Sequence, residues 1–338
     1  MEAPIALNTN WGMLGHEWAV NLLRRQIADG RLGHAYLFTG PLGVGRRSLA
    51  LRLAQAVNCT QPPAPGEPCG ECRACRGFGR GQHPDLLLVE RQEGDREIKI
   101  DALRALTRSL SRTPLEARYQ VALILNFHHA SEEAANALLK TLEEPNPSVL
   151  LCLTALDADS IPATVVSRCE VLRLRPLAPE TLTPVLQSSL GVDAAQAHLL
   201  ASVSQGLPGL AIRMQQEPAL LESRGQWLDA LHDLLSANRV KRFAFADKAS
   251  KDRQQLKNML LVWLSFWRDV LVGASGAGVA LANVDRAAEI GSLGQKIGFP
   301  EAAAALQAVE RAVTQLETNV NARLALEVLL LELPWLPS

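Results

Sequence analysis

Ala35-Tyr36-Leu37-Phe38-Thr39-Gly40-Pro41-Leu42-Gly43-Val44-Gly45-Arg46-Arg47-Ser48 is a short apolar run that ends in a glycine-rich turn, ahead of a helix-like segment over 48–57. A nucleotide-phosphate loop requires this strand, loop and helix context. Glycines let backbone N–H groups curl around a phosphate, and the following helix start adds a favourable dipole. In the G-x-x-x-x-G-K-[ST] frame Gly40 and Gly45 fit, with Gly43 between them. The lysine position holds Arg46 and the magnesium-binding hydroxyl position holds Arg47. A guanidinium is a broad planar fork, not a compact ammonium, and it cannot ligate a cation. Ser48 lies one residue out of register. The loop has the form of a nucleotide site that has lost its catalytic parts.

The apolar runs 86–89, 121–125, 149–154 and 171–174 extend this beginning. Together with 35–39 they alternate with helical patterns, as in a parallel sheet covered on both faces. A helix is predicted over 11–33, with Val20, Leu22, Leu23 and Ile27 as its apolar face. Crossover helices are predicted over 101–111 and 131–144. In the second, Ser131 is an N-cap, Glu132 and Glu133 sit at the positive end of the dipole, and Pro145 stops the helix. Its buried face is Ala135, Leu138, Leu139 and Leu142. A working nucleotidase of this kind ends its third strand in two acids, for magnesium and for water. Here the strand ends Leu125-Asn126-Phe127-His128-His129, without either acid. The two histidines make a weak metal motif with no supporting ligands.

Cys59, Cys69, Cys72 and Cys75 form a C-x9-C-x2-C-x2-C pattern in a Pro- and Gly-rich stretch. Four thiolates complete the tetrahedron that structural zinc prefers, and a closed shell leaves no position for a reactive water. His83 is a competing ligand only if a cysteine is missing from the set. Arg73, Arg76 and Arg80 read as a solvated basic face.

Composition agrees with a folded protein of two or three domains: 338 residues, 48% hydrophobic, 20% charged and a formal net charge of −1. That balance excludes global attraction to nucleic acid. No apolar run is long enough for a membrane span, since 324–336 is broken by Glu327 and Glu332. The start Met1-Glu2-Ala3-Pro4 carries no secretory pattern. A cytoplasmic protein is expected, where clustered cysteines point to metal, not to disulfides.

Beyond about 176 the pattern is helical. Pro176 and Pro179 mark the exit from the sheet, 181–205 reads as two short helices, and Gly206-Leu207-Pro208-Gly209 is a turn before a third. Leu256, Leu260, Trp263, Leu264, Trp267 and Leu271 define one apolar stripe. A turn is predicted over 273–278, followed by helical stretches over 280–296 and 300–333.

Asn136-Ala137-Leu138-Leu139-Lys140-Thr141-Leu142-Glu143-Glu144-Pro145, followed by Ser167-Arg168-Cys169, resembles the AAA+ module of bacterial clamp-loader subunits. The cysteine knuckle, His83-Pro84-Asp85 and the altered loop are similar to the delta-prime type among the subunits of DNA polymerase III. The likeness is strong over 11–215 and resumes in 319–327, which is similar to the last collar helix. It implies an α/β AAA+ module over 1–175, a five-stranded parallel sheet with helices on both faces and a zinc knuckle at 59–75. A small helical lid over 176–215 and an all-α collar over 216–338 follow. It further implies no ATP or magnesium turnover at the chain's own degenerate loop (Gly40, Gly43, Gly45, Arg46, Arg47). Arg168 would instead act in trans on a neighbour's ATP, with the second-domain arginine replaced at about Gly209. Implied partners are the gamma/tau and delta subunits and, through the complex, the sliding clamp and primed DNA; any polymerase activity would belong to the complex. The rival readings are a self-sufficient gamma/tau-like ATPase, which needs the missing acids, and a zinc-containing nucleic-acid-binding protein, which needs a basic or aromatic knuckle. Aromatic content is only 4%.

Overall fold

Successive strand residues point to opposite faces of a sheet, so a strand buried on both sides must be apolar throughout. The computed structural model, which describes residues 10–92, 95, 97–318 and 320–336, has this arrangement at its centre. Strands β1 (Ala35–Thr39), β2 (Leu86–Val89), β3 (Gln120–Ile124), β4 (Val149–Ala155) and β5 (Glu170–Arg173) pair in parallel in the order β2-β3-β4-β1-β5. Ala35 pairs with Leu151 and Tyr36 with Glu170, which puts β1 between β4 and β5. Tyr36, Phe38, Val121, Leu123, Leu150 and Cys152 enter one core, and Leu37, Ala122, Ile124, Leu151 and Leu153 enter the other. The strand ends fall within a residue of the predicted runs. Gln120 joins β3 because its N–H bonds the Ser148 carbonyl, an event that apolarity does not report.

Helices α1 (Glu17–Ala28), α2 (Arg46–Asn58) and α3 (Arg73–Gly79) supply the first core. Helices α4 (Ile100–Leu110), α5 (Glu132–Glu143) and α6 (Ala163–Val166) supply the second. The predicted cap of α5 is present: the Ser131 Oγ accepts from the Ala134 N–H at 3.2 Å. Ala135, Leu138 and Leu142 are buried and Leu139 is half-buried.

The single helix predicted over 11–33 is corrected. Trp11, Gly12, Gly15 and His16 all have positive φ, which no continuing right-handed helix allows, and α1 begins only at Glu17. Leu22, assigned to its apolar face, is 37% exposed, while Val20 and Leu23 are buried.

The chain divides into two units, 1–189 with 206–210 and 190–205 with 211–338, so the segment expected as a lid is shared between them. Met1–Pro4 and Asn319, used in the sequence reading, lie outside the described residues. Helix α7 (Pro179–Leu190) follows the sheet. The remaining helices are α8 (Ala194–Val203), α9 (Pro208–Gln216), α10 (Ala219–Ser236), α11 (Arg239–Ala249), α12 (Arg253–Ser275), α13 (Ala287–Glu317) and α14 (Ala322–Glu332). The stripe on α12 is core: Leu256, Leu260, Trp263 and Trp267 are buried, and Leu264 and Leu271 pack partly against them.

Three boundaries in this region differ from expectation. Gly273 stays helical, and the turn starts at Gly276, which caps α12 in the left-handed conformation. The stretch predicted to be helical from 280 gains its α-helix only at Ala287, after a single 3₁₀ turn over Val284–Arg286. The stretch 300–333 is not one helix, since α13 ends at Glu317 and α14 starts at Ala322, where the Asn321 side chain caps it by accepting from the Arg323 and Leu324 N–H groups. Gly298, with φ 76°, breaks α13 just before Pro300.

Candidate functional site

The glycine loop lies at the carboxyl end of β1. Gly40, Gly43 and Gly45 have φ of 142°, 84° and 113°, all backbone that a Cβ disfavours. At Gly40 a Cβ would also come within 2.3 Å of the Leu174 carbonyl oxygen. Gly45 is the N-cap of α2 and offers no side chain to its first turn. The loop is braced on both sides. His16 Nε2 is 2.9 Å from the Val44 carbonyl oxygen, and burial holds this imidazole below its ordinary pKa. On the other side the Gly209 N–H donates to the Gly43 carbonyl at 2.8 Å. A Cβ at Gly209 would lie 2.9 Å from that oxygen, so position 209 takes no side chain without displacing the loop.

The two arginines of the loop diverge. Arg47 is exposed. Arg46 is only 6% exposed, and its Nη2 donates to the Asn126 Oδ1 at 3.2 Å. Its Nη1 is buried without a partner, and desolvation pulls the guanidinium below its usual pKa. The strand-end position where an acid was expected therefore meets the loop position where a lysine was expected. Asn126 has φ 52° and ψ 52°, a left-handed backbone that asparagine tolerates better than most residues, and its N–H donates to the Thr154 hydroxyl at 2.8 Å. Leu125, at the other acid position, is buried. His128 and His129 follow in a 3₁₀ turn with ring centroids 4.2 Å apart. Burial, and then the nearby His129 and Arg46, push the His128 imidazole down to about 4, so it is neutral near pH 7. Its Nδ1 is buried and unpaired.

Cys59, Cys69, Cys72 and Cys75 converge, with their four sulfurs all within 4.8 Å of one another. Among the described residues they are the only group of three or more metal-ligating side chains with this closeness. Zinc at about 2.3 Å from each sulfur requires a sulfur spacing of roughly 3.8 Å. The Cys69 and Cys75 sulfurs are 3.9 Å apart. Backbone N–H groups point at the sulfurs as well, Cys69 to Cys59 at 3.3 Å, Cys72 to Cys69 at 3.3 Å and Cys75 to Cys72 at 3.4 Å. Such donors favour thiolates. Burial raises the Cys72 thiol, but the backbone N–H groups and side chains of Cys75 and Thr60 outweigh it, leaving about 6. The donor set fits a structural zinc.

His83 is not a ligand. Its ring stacks on Phe78 of α3 at 4.1 Å, and its Nδ1 accepts from the Asp85 N–H at 3.1 Å. Asp85 in turn accepts from the N–H groups of Leu115, Glu116 and Ala117 at 2.6–2.8 Å. The sequence marked His83-Pro84-Asp85 without a role; it ties the knuckle to the sheet and the loop ahead of β3. In the basic trio, Arg73 pairs with Glu116 at 2.8 Å.

Arg168 is held apart from the loop. Its Nη2 meets Glu143 Oε1 at 2.6 Å, and its Nη1 donates to the Thr164 carbonyl at 2.9 Å. The sequence did not single out His16, which braces the glycine loop, or Thr154, which accepts from the Asn126 N–H; neither lies in a recognisable motif.

A five-stranded parallel sheet with a glycine loop leading into α2 has the architecture of an AAA+-like α/β module. Residues 15–178 match the family described as DNA polymerase III, delta subunit, and residues 218–334 match its C-terminal counterpart. The chain is 32% identical over 256 residues to DNA polymerase III subunit delta' of Bacillus subtilis (strain 168), covering 75% of this chain and 76% of that one. To subunit delta' of Pseudomonas aeruginosa it is 34% identical over 204 residues, 60% and 61% of the two chains. To subunit tau of Escherichia coli (strain K12) it is 35% identical over 200 residues, 57% of this chain and 30% of tau. The chain belongs to the DNA polymerase III delta' family. It spans less than two thirds of the length of the Pseudomonas and Escherichia relatives.

Proposed function

We propose that the chain serves as a non-hydrolysing scaffold subunit of a cytoplasmic clamp loader. There it would donate Arg168 to a neighbouring subunit's ATP while the complex loads a sliding clamp onto primed DNA. The observation that carries the first half is the hydrogen bond between Arg46 and Asn126. A phosphate loop that hydrolyses ATP needs a compact ammonium and a carboxylate holding magnesium at these two places. Here an arginine donates to an amide oxygen instead, and Leu125 beside them has nothing to offer a cation. The second half rests on the Ser167-Arg168-Cys169 triplet and on family membership. Gamma/tau and delta subunits are the proposed neighbours, through the AAA+ module and the helical collar over 216–338. Zinc in the four-cysteine knuckle has a structural role. No helix among the described residues is long and apolar enough to cross a membrane.

The test is hydrolysis by the purified chain, alone and mixed with gamma/tau and delta subunits. The chain alone is expected to show no magnesium-dependent ATP turnover. Arg46→Lys combined with Arg47→Thr should not restore it, because Leu125 and Asn126 still hold no metal or water. The mixture is expected to co-elute as one complex. Turnover by the unaltered chain would overturn the reading, and so would failure to assemble.

A further inference from the structure

The cysteine knuckle carries a charge pattern that zinc does not use. Helix α3 holds Arg73 and Arg76, ends on Arg80 as its C-cap, and contains no acid. Positions i, i+3 and i+7 of a helix share one face, and all three arginines are exposed. At 1.5 Å per residue they form a strip about 10 Å long. A fourth guanidinium reaches its end from α2: the Arg47 Nη2 lies 4.0 Å from where a Cβ at Gly81 would stand, next to Arg80 in the chain. Among the described residues no hydrogen bond or ion pair holds the side chain of Arg47, Arg76 or Arg80. Arg73 meets Glu116 at 2.8 Å, but its side chain is 81% exposed and the pair is open to water. Of the acids just ahead of the helix, Glu67 is taken by Arg24 at 3.1 Å, which leaves Glu71.

We propose that the arginine face of α3, with Arg47 at its end, is a docking surface for the phosphate backbone of duplex DNA. Like charges along a helix face repel, and a polyanion laid across them removes that repulsion. A strip of about 10 Å spans roughly three successive phosphates of one strand, at 3.4 Å of helix axis each. The strip offers no ring for an unpaired base, since Phe78 is buried, and a single-strand site needs such stacking platforms. A duplex, whose bases are already stacked, asks only for the charge. A formal net charge of −1 excludes global attraction to DNA but not this local patch. The proposal rests on the reading that the chain works at primed DNA only in naming DNA as the polyanion; it uses neither Arg168 nor any nucleotide.

The probe is a short fluorescent DNA duplex, titrated with the full zinc-loaded chain across a series of salt concentrations and read by anisotropy. Saturable binding is expected, on the order of 1–100 μM at low salt and indifferent to sequence. Its logarithm should fall against log salt with a slope of about −2.7, roughly 0.9 for each of Arg47, Arg76 and Arg80. Arg76→Gln with Arg80→Gln should weaken binding at least about tenfold at low salt and flatten the slope to about −0.9. Glu116→Gln releases Arg73 and should tighten binding a few-fold, a gain that a purely structural role for the knuckle would not produce. Arg239→Gln, on exposed α11, should stay within about twofold of the parent, since a general charge effect is not at work. No saturable binding, tighter binding to a single strand of the same length, or binding unchanged in the Arg76 and Arg80 variant would each overturn the proposal. Assembly with gamma/tau and delta subunits and ATP turnover are scored separately, so this proposal can fail while the scaffold reading stands.

Discussion

Asp85 shows how much a single side chain can organise. Its carboxylate is fully buried and gathers the N–H groups of Leu115, Glu116 and Ala117, fixing the loop that leads into β3. Burial alone would raise its pKa, but the three N–H donors and His83 outweigh burial and depress it below 3.8. A carboxyl whose folded pKa is depressed adds stability above its unfolded pKa. That contribution is lost as pH falls through the folded value. Asp85→Asn should therefore be less stable than the parent at pH 7, with the gap closing below about pH 4 as the parent's carboxyl protonates. Asp85→Ala strands all three donors and should cost about 1–3 kcal/mol or more. Urea midpoints at pH 7 and pH 3 check both variants; a gap independent of pH would show that Asp85 acts through packing alone. At this scale the sequence was only partly legible. Arg46 and Asn126 could be read as substitutions within a motif because motif positions are fixed by spacing. Their mutual bond, and the depth to which Arg46 is drawn, depend on a rotamer and on the left-handed turn at Asn126, which no spacing encodes.

Elements were legible where one cause set their limits. Helix α5 was read to within a residue because Ser131 caps it and Pro145 follows. Helix α1 was misread because its limit is set by positive φ at Trp11 and His16, two residues that do not advertise it. The knuckle is the element with the clearest consequence. Cys59 to Cys75 contribute few buried apolar groups; Cys75 and α3 are tied to the rest by the Phe78–His83 stack and by Gln55 Nε2 donating to the Cys75 carbonyl. Removing zinc with a chelator, or changing Cys72→Ser, should loosen 59–80 while the sheet survives. Hydrogen exchange should accelerate in 59–80 and stay slow in β1, β3 and β4, and metal analysis should fall from about one zinc per chain to none. Slow exchange throughout in metal-free protein would remove zinc from the structural account. In the helical region Arg242 plays the comparable part. It is 4% exposed and donates to the carbonyls of Leu234, Leu235, Leu330, Leu333 and Pro334, joining the ends of α10 and α14. Arg242→Met should cost about 3 kcal/mol by leaving those carbonyls unpaired, and Arg242→Lys should recover little of it because an ammonium cannot span both helix ends. The full chain's denaturation midpoint reads this directly.

For the molecule acting in a complex, the testable residue is Arg168, and the question is whether its present partners would release it. Its bond to Glu143 joins side chains that are 35% and 51% exposed. A surface pair of this kind contributes at most about 1 kcal/mol, so a neighbour's triphosphate can compete for the guanidinium. On the proposed trans role, Glu143 would hold the side chain until a phosphate competes for it, and Glu143→Gln is expected to leave clamp loading intact. An arginine that stabilises charge developing on a transferred phosphoryl group is worth roughly 10³–10⁵ in rate at its own site. In a complex with several ATP sites the visible loss would be smaller, because on the proposed role only one site would depend on this chain. Arg168→Ala should therefore assemble normally, lower steady-state hydrolysis by the share of that one site, and slow clamp loading by much more if loading needs every site to fire. Arg168→Lys should rescue poorly, since a point charge cannot make the two-pronged contact. The measurement compares complexes that differ only at this position, scoring assembly, ATP turnover and clamp transfer to primed DNA. Arg168→Ala complexes that match the parent in all three would leave Arg168 as a surface partner of Glu143 and nothing more.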